Sequence, residues 1–496
     1  MIILTQLEGC DSAKIQRYYD TKQMASKPYV LWQLDFARVF REKGGFDIVI
    51  GNPPYIGEEG HKEIFQEVAA TEFGRKYYIG KMDFWYFFTS KALHLLRRDG
   101  VLSYIAPNNW MTTAGGKNMR KHIVSEATLL QFTTFNNVMI FESASQQTMV
   151  FLIQNAKKTA PYDMQYKAVG NRTLEHEELS VFLNSTRIGT SYKSTIDPCS
   201  YDGATIQFLN ADILRVADLI RSGKKIYLKN DEIINGIHPH HACVTKKMLP
   251  ILPNASIGDG IFIVSDVELS DMNLSANEKT LIHPYYDSTQ ISRYFFDAKT
   301  DKHIIYTTSD FKDVSLMGSY PNIKKHLDHY VDVITSDNRP YGLHRARKQE
   351  FFENPKIVSI RKCQYPQFSY VEQPSYVTAE WYLIMTSRVD MKYLTCLLNS
   401  RLIKFWLLKM GKMQGNIFQV DKEPLVNIPI LVPDAALEES MKVLFDHIMK
   451  VRNSNKNGDI SEFEKQIDKL VYEAYGLSTP VIDAIEEELC AWENKK

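Results

Sequence analysis

The chain has 496 residues, of which 44% are hydrophobic and 12% aromatic, which is enough apolar material for two or three globular domains. Basic and acidic side chains both number 59, so the formal net charge is zero and any nucleic-acid surface must be a local patch. The six cysteines form no Cys-x-x-Cys pair, which argues against a structural zinc site and a disulfide framework. No run reaches the roughly 18 apolar residues of a membrane span, and the opening residues do not read as a signal sequence, so we expect a cytoplasmic protein.

The stretch Phe46–Tyr55 is the most informative part of the chain. Its apolar, β-branched first half predicts a buried parallel strand, and Gly-Asn-Pro-Pro predicts a turn at the carboxyl end, where open α/β sheets hold ligands. The two prolines remove two amide donors, so the carbonyls of Asn52 and Pro53 are left as acceptors. The amide of Asn52 and the aromatic face of Tyr55 suit a planar group that carries an NH2, such as a nucleobase.

Further α/β elements follow this stretch. Asp83–Gly100 predicts a helix that begins with a capping-type Asp, and Val101–Ala106 predicts the next strand. A helix opening at Gly115-Gly116 and running to about Glu126 precedes two more predicted strands, Leu129–Phe135 and Gln147–Gln154.

Asn52-Pro53-Pro54-Tyr55 after an apolar strand resembles motif IV of the gamma-type amino-methyltransferases that act on N6 of adenine in DNA. The resemblance implies that Asn52, Pro53, Pro54 and Tyr55 hold the target base. Val138–Ala144 resembles motif VIII of that family, which implies that Phe141 contacts the flipped base, although a plain core Phe is the competing interpretation. The helix and strand from Asp83 onward resemble motifs V and VI, which implies that Asp83 lines the cofactor or substrate pocket; a simple helix N-cap is the alternative.

The family's S-adenosyl-L-methionine pocket is incomplete in this chain. Three βα units of about 30 residues each should precede the Asn-Pro-Pro-Tyr strand, but only 45 residues do, and they contain no Gly-rich loop. Leu34-Asp35-Phe36 stands at motif III spacing, with a solvated linker Asp as the other interpretation. We therefore expect either a partner polypeptide that supplies the S-adenosylmethionine-binding half of the sheet or a truncated remnant.

The composition changes near residue 160, where polar loops and many Tyr residues begin. Strings from Asn235-Gly236-Ile237 to Asn427-Ile428-Pro429 resemble the TaqI-like target recognition domain of restriction-modification methyltransferases, as in type IIG enzymes, and the whole resemblance spans roughly residues 25 to 430. Double-stranded DNA is the implied partner. The predicted DNA-binding side chains are basic and lie near Tyr341, His344, Tyr365 and Tyr370. They are Arg339, Arg345, Arg347, Lys348, Lys356, Arg361 and Lys362.

Two local patterns keep alternatives open. The basic run could be an ordinary solvated surface rather than a DNA face. His238, His240, His241 and Cys243 could suggest a metal site, but Pro239 and the absence of a second cluster favour a polar loop, so we predict no metal.

The predicted fold class is α/β: a partial doubly wound, Rossmann-like methyltransferase sheet over residues 1–160, an α+β target recognition domain over 161–433 and a helical tail over 434–496. The predicted function is a site-specific DNA adenine-N6 methyltransferase component of a restriction-modification or phage-defence system that flips its target base. The alternative is a non-catalytic DNA-binding specificity fragment of a split or truncated methyltransferase. Methylation of protein glutamine or RNA is disfavoured by the large second domain, and Pro433-Asp434 lacks the lysine of a nuclease site, so we expect no DNA cleavage by this chain alone.

Overall fold

The chain divides into two units, residues 1–211 and 212–496, in the computed structural model. The structure describes residues 16, 30–135, 138, 140, 141, 147–169, 174–186, 188–199, 201–414 and 416–494. Within them, no helix combines the length and the apolar character that a membrane crossing requires.

A mixed six-stranded sheet is the centre of the first unit, with strand order β1-β2-β4-β3-β5-β6. Its strands are β1 (Phe46–Gly51), β2 (Leu96–Pro107), β3 (Thr128–Thr134), β4 (Thr148–Gln154), β5 (Tyr162–Ala168) and β6 (Thr190–Ile196). Its helices are α1 (Trp32–Asp35), α2 (Ala37–Lys43), α3 (Lys62–Ala69), α4 (Glu72–Tyr77), α5 (Trp85–Leu95), α6 (Lys117–Glu126) and α7 (His176–Asn184). β1 pairs with β2 in parallel, β4 runs antiparallel to both β2 and β3, and β5 continues the sheet in parallel with β3.

One helical layer covers this sheet. α5 packs on β2, α6 packs on β3, and the two helices contact each other. The core between them contains Trp85, Leu102, Phe132 and Phe151, each fully buried. Gly115 permits the close approach that starts α6, because a Cβ there would lie 1.9 Å from the carbonyl oxygen of Lys81.

Three expectations need adjustment. The helix predicted over Asp83–Gly100 ends at Leu95, because Leu96 already pairs with Phe46 as the first residue of β2. The strand predicted as buried is instead an edge strand: Ile48 is 68% exposed and Ile50 is 81% exposed. The first unit also extends beyond the predicted boundary at 160, because β5 and β6 join the same sheet.

The second unit contains several small sheets around one core. Two have four strands, ordered β15-β10-β11-β9 and β14-β12-β16-β8. The strands are β7 (Lys225–Ile226), β8 (Ile233–Asn235), β9 (Ile263–Ser265), β10 (Ile282–Tyr286), β11 (Lys302–Ile305), β12 (Lys356–Ile360), β13 (Lys362–Cys363), β14 (Phe368–Val371), β15 (Tyr376–Val377), β16 (Trp381–Ile384), β17 (Lys412–Gln414), β18 (Ile417–Gln419) and β19 (Ile430–Leu431). Ile304, Val358, Tyr376 and Trp381, all fully buried, belong to the core cluster that both four-stranded sheets share.

Helices complete the second unit. They are α8 (Ala211–Arg221), α9 (Asp266–Asp271), α10 (Pro321–Asp328), α11 (Glu350–Glu353), α12 (Met391–Asn399), α13 (Arg401–Met410), α14 (Lys422–Val426), α15 (Ala435–Ser454), α16 (Ser461–Ala474) and α17 (Thr479–Glu493). α15 packs on α12, and α16 and α17 pack on α13. Ion pairs from Arg401, Lys404 and Lys409 of α13 to glutamates of α17 join the acidic tail to the rest of the unit. The predicted fold class, a partial methyltransferase-like sheet followed by an α+β region and a helical tail, is confirmed.

Candidate functional site

The Asn-Pro-Pro-Tyr turn leaves the sheet at the carboxyl end of β1. Asn52 is exposed and Tyr55 is half-buried. The Tyr55 hydroxyl lies within hydrogen-bond distance of two acceptors, the side-chain oxygen of Asn52 and, at 2.8 Å, the carbonyl oxygen of Ile105 in β2. Burial, followed by the nearby Asp83 carboxylate, raises the pKa of Tyr55 above its usual value, so this hydroxyl is protonated at neutral pH.

The segment after the turn is anchored to the start of α5. The Asp83 carboxylate accepts hydrogen bonds from the backbone N–H of Ile56 at 3.1 Å and of Trp85 at 3.4 Å. Burial raises the pKa of Asp83, while those backbone donors oppose the rise. Asp83 therefore fixes the position of the turn against the helix, and its predicted place in a cofactor or substrate pocket stays a prediction.

Glu58 is a buried carboxylate that the sequence did not reveal. It accepts a hydrogen bond from the Tyr78 hydroxyl at 2.5 Å and one from the Met82 backbone N–H at 3.2 Å. It lies three residues beyond Tyr55, so it holds the far side of the same loop. One Glu of a Glu-Glu pair between glycines has no sequence signature that separates this role from that of an exposed loop residue.

A cavity of about 700 Å³ adjoins the turn on the outward face of β1. Asn52, Pro53 and Pro54 form one wall, and Ile48, Ile50 and Phe88 contribute to the apolar remainder. The sequence patterns did not identify Phe88 as part of this site, because helical periodicity alone assigned it to a packed face.

Phe141 lies at the same end of the sheet as the turn. Pro107 at the end of β2 pairs with Thr148 at the start of β4, so the β3–β4 connection that carries Phe141 emerges beside the carboxyl ends of β1 and β2. Phe141 is half-buried. Met139 and residues 142–144 of the predicted motif VIII lie outside the described residues. The motif III candidate Asp35 is exposed and accepts the backbone N–H of Leu31 in its own short helix.

The predicted DNA-binding residues fall into two groups in the second unit. Arg339, Arg345 and Lys348 are exposed, and Arg347 is half-buried, with its Nε donating to the Gly236 carbonyl at 3.3 Å. All four lie in the loop region before α11. Their chain positions and exposure suit contacts with an anionic backbone.

Arg361 and Lys362 lie at the edge of β12 and β13. Lys362 is exposed, and Arg361 donates to the Asp421 carboxylate at 2.7 Å. Burial raises the pKa of the Tyr382 phenol, whereas the guanidiniums of Arg361 and Arg347 both lower it. Tyr382 thus lies near Arg347 of the first group and Arg361 of the second. The two groups are together called the basic strip, which consists of Arg339, Arg345, Arg347, Lys348, Arg361 and Lys362.

Lys356 is not part of that strip, and the prediction of a DNA contact there is wrong. The residue is fully buried, and its ammonium donates to the carbonyls of Phe352 and Gln373, both at 2.7 Å. Burial lowers the pKa of Lys356 to about 7. As the first residue of β12 it points into the core, a direction that a basic residue in a charge-rich stretch does not reveal.

The neighbouring aromatic residues mostly serve packing. Tyr341 is buried and donates to Asp328 at 2.7 Å, and Tyr370 lies edge-on to Phe445 of the tail. The Lys404 ammonium lies over the ring of Tyr365, which stays 45% exposed. His344 directly precedes Arg345 and so adjoins the basic strip. Among the described residues, no group of three His, Cys, Asp or Glu side chains is placed to hold a metal ion.

Comparison with known families now defines the class of protein. Residues 5–141 match the Eco57I restriction-modification methylase family, and residues 283–430 match the TaqI-like C-terminal specificity domain. The chain therefore combines a region similar to restriction-modification methylases with a region similar to TaqI-like specificity domains, and the predicted resemblance is confirmed.

Individual relatives agree with this class. The type II methyltransferase M.HindII of Haemophilus influenzae is 22% identical over 453 residues, covering 86% of this chain and 83% of the relative. M.HincII of Haemophilus influenzae is 22% identical over 447 residues, with the same two coverages of 86% and 83%. The solved type IIL restriction-modification enzyme MmeI in complex with DNA has the same fold, with a TM-score of 0.59 at 14% identity; it covers 95% of this chain, which spans 60% of that one.

Proposed function

We propose that this chain carries the target-base site and the sequence-reading domain of a site-specific DNA adenine-N6 methyltransferase, in a restriction-modification or phage-defence system. The observation that carries the proposal is the Asn52–Tyr55 turn at the carboxyl end of β1, where Asn52 is exposed, in a chain that also has a region matching the TaqI-like specificity domain. A DNA substrate implies that the chain works where the genome lies, which we propose is the cytoplasm.

The turn's chemistry suits an exocyclic amine. The adenine amine is a poor nucleophile because its lone pair is delocalised into the ring. Two acceptors, the Asn52 side-chain oxygen and the Pro53 carbonyl, would hold its two N–H bonds and favour the pyramidal geometry in which the lone pair is available. Tyr55 would stack on the base once it leaves the duplex, with Phe141 packing against it, which offsets part of the cost of unstacking.

The Tyr55 hydroxyl has a second hydrogen-bond acceptor, so Asn52 can exchange this hydroxyl for the amine of a bound base. In this structure the hydroxyl contacts the oxygen of Asn52 that the amine would use, and Ile105 offers an alternative acceptor at 2.8 Å. The hydroxyl therefore keeps a partner when the amine takes its place on Asn52. The incoming base leaves no buried donor unsatisfied, so the exchange avoids a penalty of about 1–3 kcal/mol.

S-adenosylmethionine, when bound, supplies the methyl group on a sulfonium. We propose that its binding site is completed by a polypeptide that carries the Gly-rich strand and pairs with β1. In the described part of the chain, β1 pairs only with β2, while Ile48 and Ile50 are largely exposed beside the cavity that the turn lines. Burying each such side chain is worth about 1.5–3 kcal/mol, so this edge favours strand addition.

The methylation pattern of the cell that encodes the chain tests the proposal with every natural partner in place. Replacing the chromosomal gene by Asn52→Ala should reduce N6-methyladenine at one sequence motif by about 100-fold or more, since an acceptor that acts in the transition state is lost. Asn184→Ala, an exposed change at the end of α7, is the matched control and should leave the pattern unchanged. An identical adenine methylation map in wild type and Asn52→Ala would overturn the adenine-N6 assignment.

The edge of β1 has its own test. Ile50→Lys places a charge on the outward face of the strand and should abolish methylation while leaving DNA binding by the chain intact, because strand addition would bury the ammonium. Val181→Lys, an exposed apolar position on α7, is the control. Full methylation in the Ile50→Lys strain would contradict the proposed strand addition.

The non-catalytic specificity fragment stays the second candidate, favoured by the same exposed edge. It predicts a chain that binds duplex DNA while the Asn52→Ala strain keeps its methylation map. The methylation experiment therefore distinguishes the two functions.

A further inference from the structure

Four histidines of the second unit meet where two loop segments pair. The backbone N–H of His238 donates to the carbonyl of Arg345 at 3.2 Å, and the N–H of Arg345 donates to the carbonyl of His238 at 3.1 Å. This pairing brings His238, His240 and His241 beside His344. Ring centroids lie 4.3 Å apart for His240 and His241, 5.1 Å for His240 and His344, and 5.5 Å for His238 and His344.

The charges around this histidine cluster are predominantly positive. Arg345 and Arg347 lower the pKa of His238, and Arg345 lowers that of His344. Asp337 is the carboxylate that opposes the effect at His344. His238, His240 and Arg345 are exposed, so an anion in solution can reach the outer side of the cluster.

The two inner histidines, His241 and His344, each have a ring nitrogen that makes no hydrogen bond with the described residues. The backbone N–H of Thr335 donates to Nε2 of His241 at 3.3 Å, so the neutral ring carries its proton on Nδ1. Within the described residues, the Nδ1 atoms of His241 and His344 are buried without a hydrogen-bond partner. Burial is the main cause of the lowered pKa of His241, and the neighbouring histidines lower it further. Burial is also the main cause of the lowered pKa values of His238 and His344. These three rings are therefore neutral near pH 7 in the free protein.

We propose that His238, His240 and Arg345 bind a backbone phosphate of DNA, that Arg347, His241 and His344 support this site from behind, and that the cluster takes up protons as the phosphate binds. The inference rests on the DNA-binding role proposed above for the second unit and adds its regulation: DNA affinity rises as pH falls. A phosphate supplies the negative charge that the cluster lacks, and His⁺ offers two donors where a neutral ring offers one.

Proton linkage determines whether DNA affinity rises or falls with pH. The phosphate raises the pKa of His238 above its lowered value in the free protein, so the complex holds more protons than its separated parts. Affinity is therefore greatest below the imidazole pKa of the free protein and declines as pH rises through the pKa of the complex. Each proton taken up changes the affinity by up to about tenfold per pH unit within that window, so an average uptake of about 0.35 to 0.5 proton predicts roughly five- to tenfold tighter binding at pH 6 than at pH 8.

Fluorescence anisotropy of the whole chain with a labelled duplex of about 30 base pairs tests this, because phosphate contacts do not require the recognition sequence. Kd is measured from pH 6 to pH 8 at constant ionic strength. The double variant His238→Gln/His240→Asn removes the outer imidazoles, and Asn suits the left-handed backbone of His240, which has φ +72°. His329→Gln, an exposed histidine after α10, is the matched control.

Wild type and His329→Gln should bind five- to tenfold more tightly at the lower pH, by the same proton linkage, whereas the double variant should lose at least about half of that dependence on a logarithmic scale. His240→Asn alone serves if the double variant fails to fold. A wild-type Kd that is constant with pH, or an unchanged pH slope in the variants, overturns this inference and leaves the proposed methyltransferase function standing. Absence of DNA binding at every pH would refute both.

Discussion

Replacing Lys356 by Met gives the sharpest test of how the second unit is built. Lys356 is fully buried, and its ammonium donates to the carbonyls of Phe352 and Gln373. Met has a similar length and no charge, so the variant removes the ionisation while it leaves two carbonyls without their donor.

The magnitude follows from the pKa. Burial lowers the pKa of Lys356 from 10.5 to about 7, so the unfolded chain binds the proton more tightly than the folded one. The resulting penalty on folding is largest below the folded pKa and disappears as pH rises through the unfolded pKa. It amounts to about 4 kcal/mol at pH 7 and about 2 kcal/mol at pH 9. Wild type should therefore gain about 2 kcal/mol relative to Lys356→Met over this interval.

Urea unfolding of both proteins at pH 7, 8 and 9, followed by tryptophan fluorescence, measures this difference. The core residue Trp381 reports on the second unit. Parallel stability profiles for the two proteins would refute the argument that Lys356 is ionisable and buried. DNA affinity at pH 8 should stay within about twofold in Lys356→Met, since a buried ammonium neutralises no phosphate, whereas a loss of about tenfold would restore the DNA contact that the charge pattern suggests.

Three further substitutions probe the first unit. Tyr55→Phe keeps the ring but loses the hydroxyl shared with Asn52, so methylation in the host should fall by about three- to tenfold, and an unchanged rate would show that the hydroxyl is dispensable. Glu58→Gln weakens the charge-assisted acceptor of the Tyr78 hydroxyl and should lower the free energy of unfolding by about 1–3 kcal/mol, as measured in urea; equal stability would contradict the assigned role of this carboxylate. Arg120→Met removes a buried guanidinium that donates to four backbone carbonyls and should cost about 3 kcal/mol or more, and a smaller cost would show that other donors replace it.

The sequence was most informative where the residues of one short segment determine its conformation by themselves. A β-branched run followed by Gly-Asn-Pro-Pro specifies a strand, its end and two free acceptors, so Asn52–Tyr55 could be singled out from these residues alone. The helical tail predicted over 434–496 is likewise observed, as α15, α16 and α17. Such features need only local dihedral preferences and periodicity.

Tertiary structure decided what each charged or apolar residue faces. Lys356 and Lys362 belong to one basic stretch of sequence, yet the first is buried and the second is exposed, because Lys356 begins β12 in one sheet and Lys362 begins β13 in another. The histidines from two distant loops form a cluster only because His238 pairs with Arg345. Ile48 and Ile50 read as core residues, but β1 lies at the edge of the sheet and exposes them. The sequence by itself determined the turn that can bind an amine, whereas the strand order of the described residues determined that the strand leading to it has an unpaired edge beside that turn.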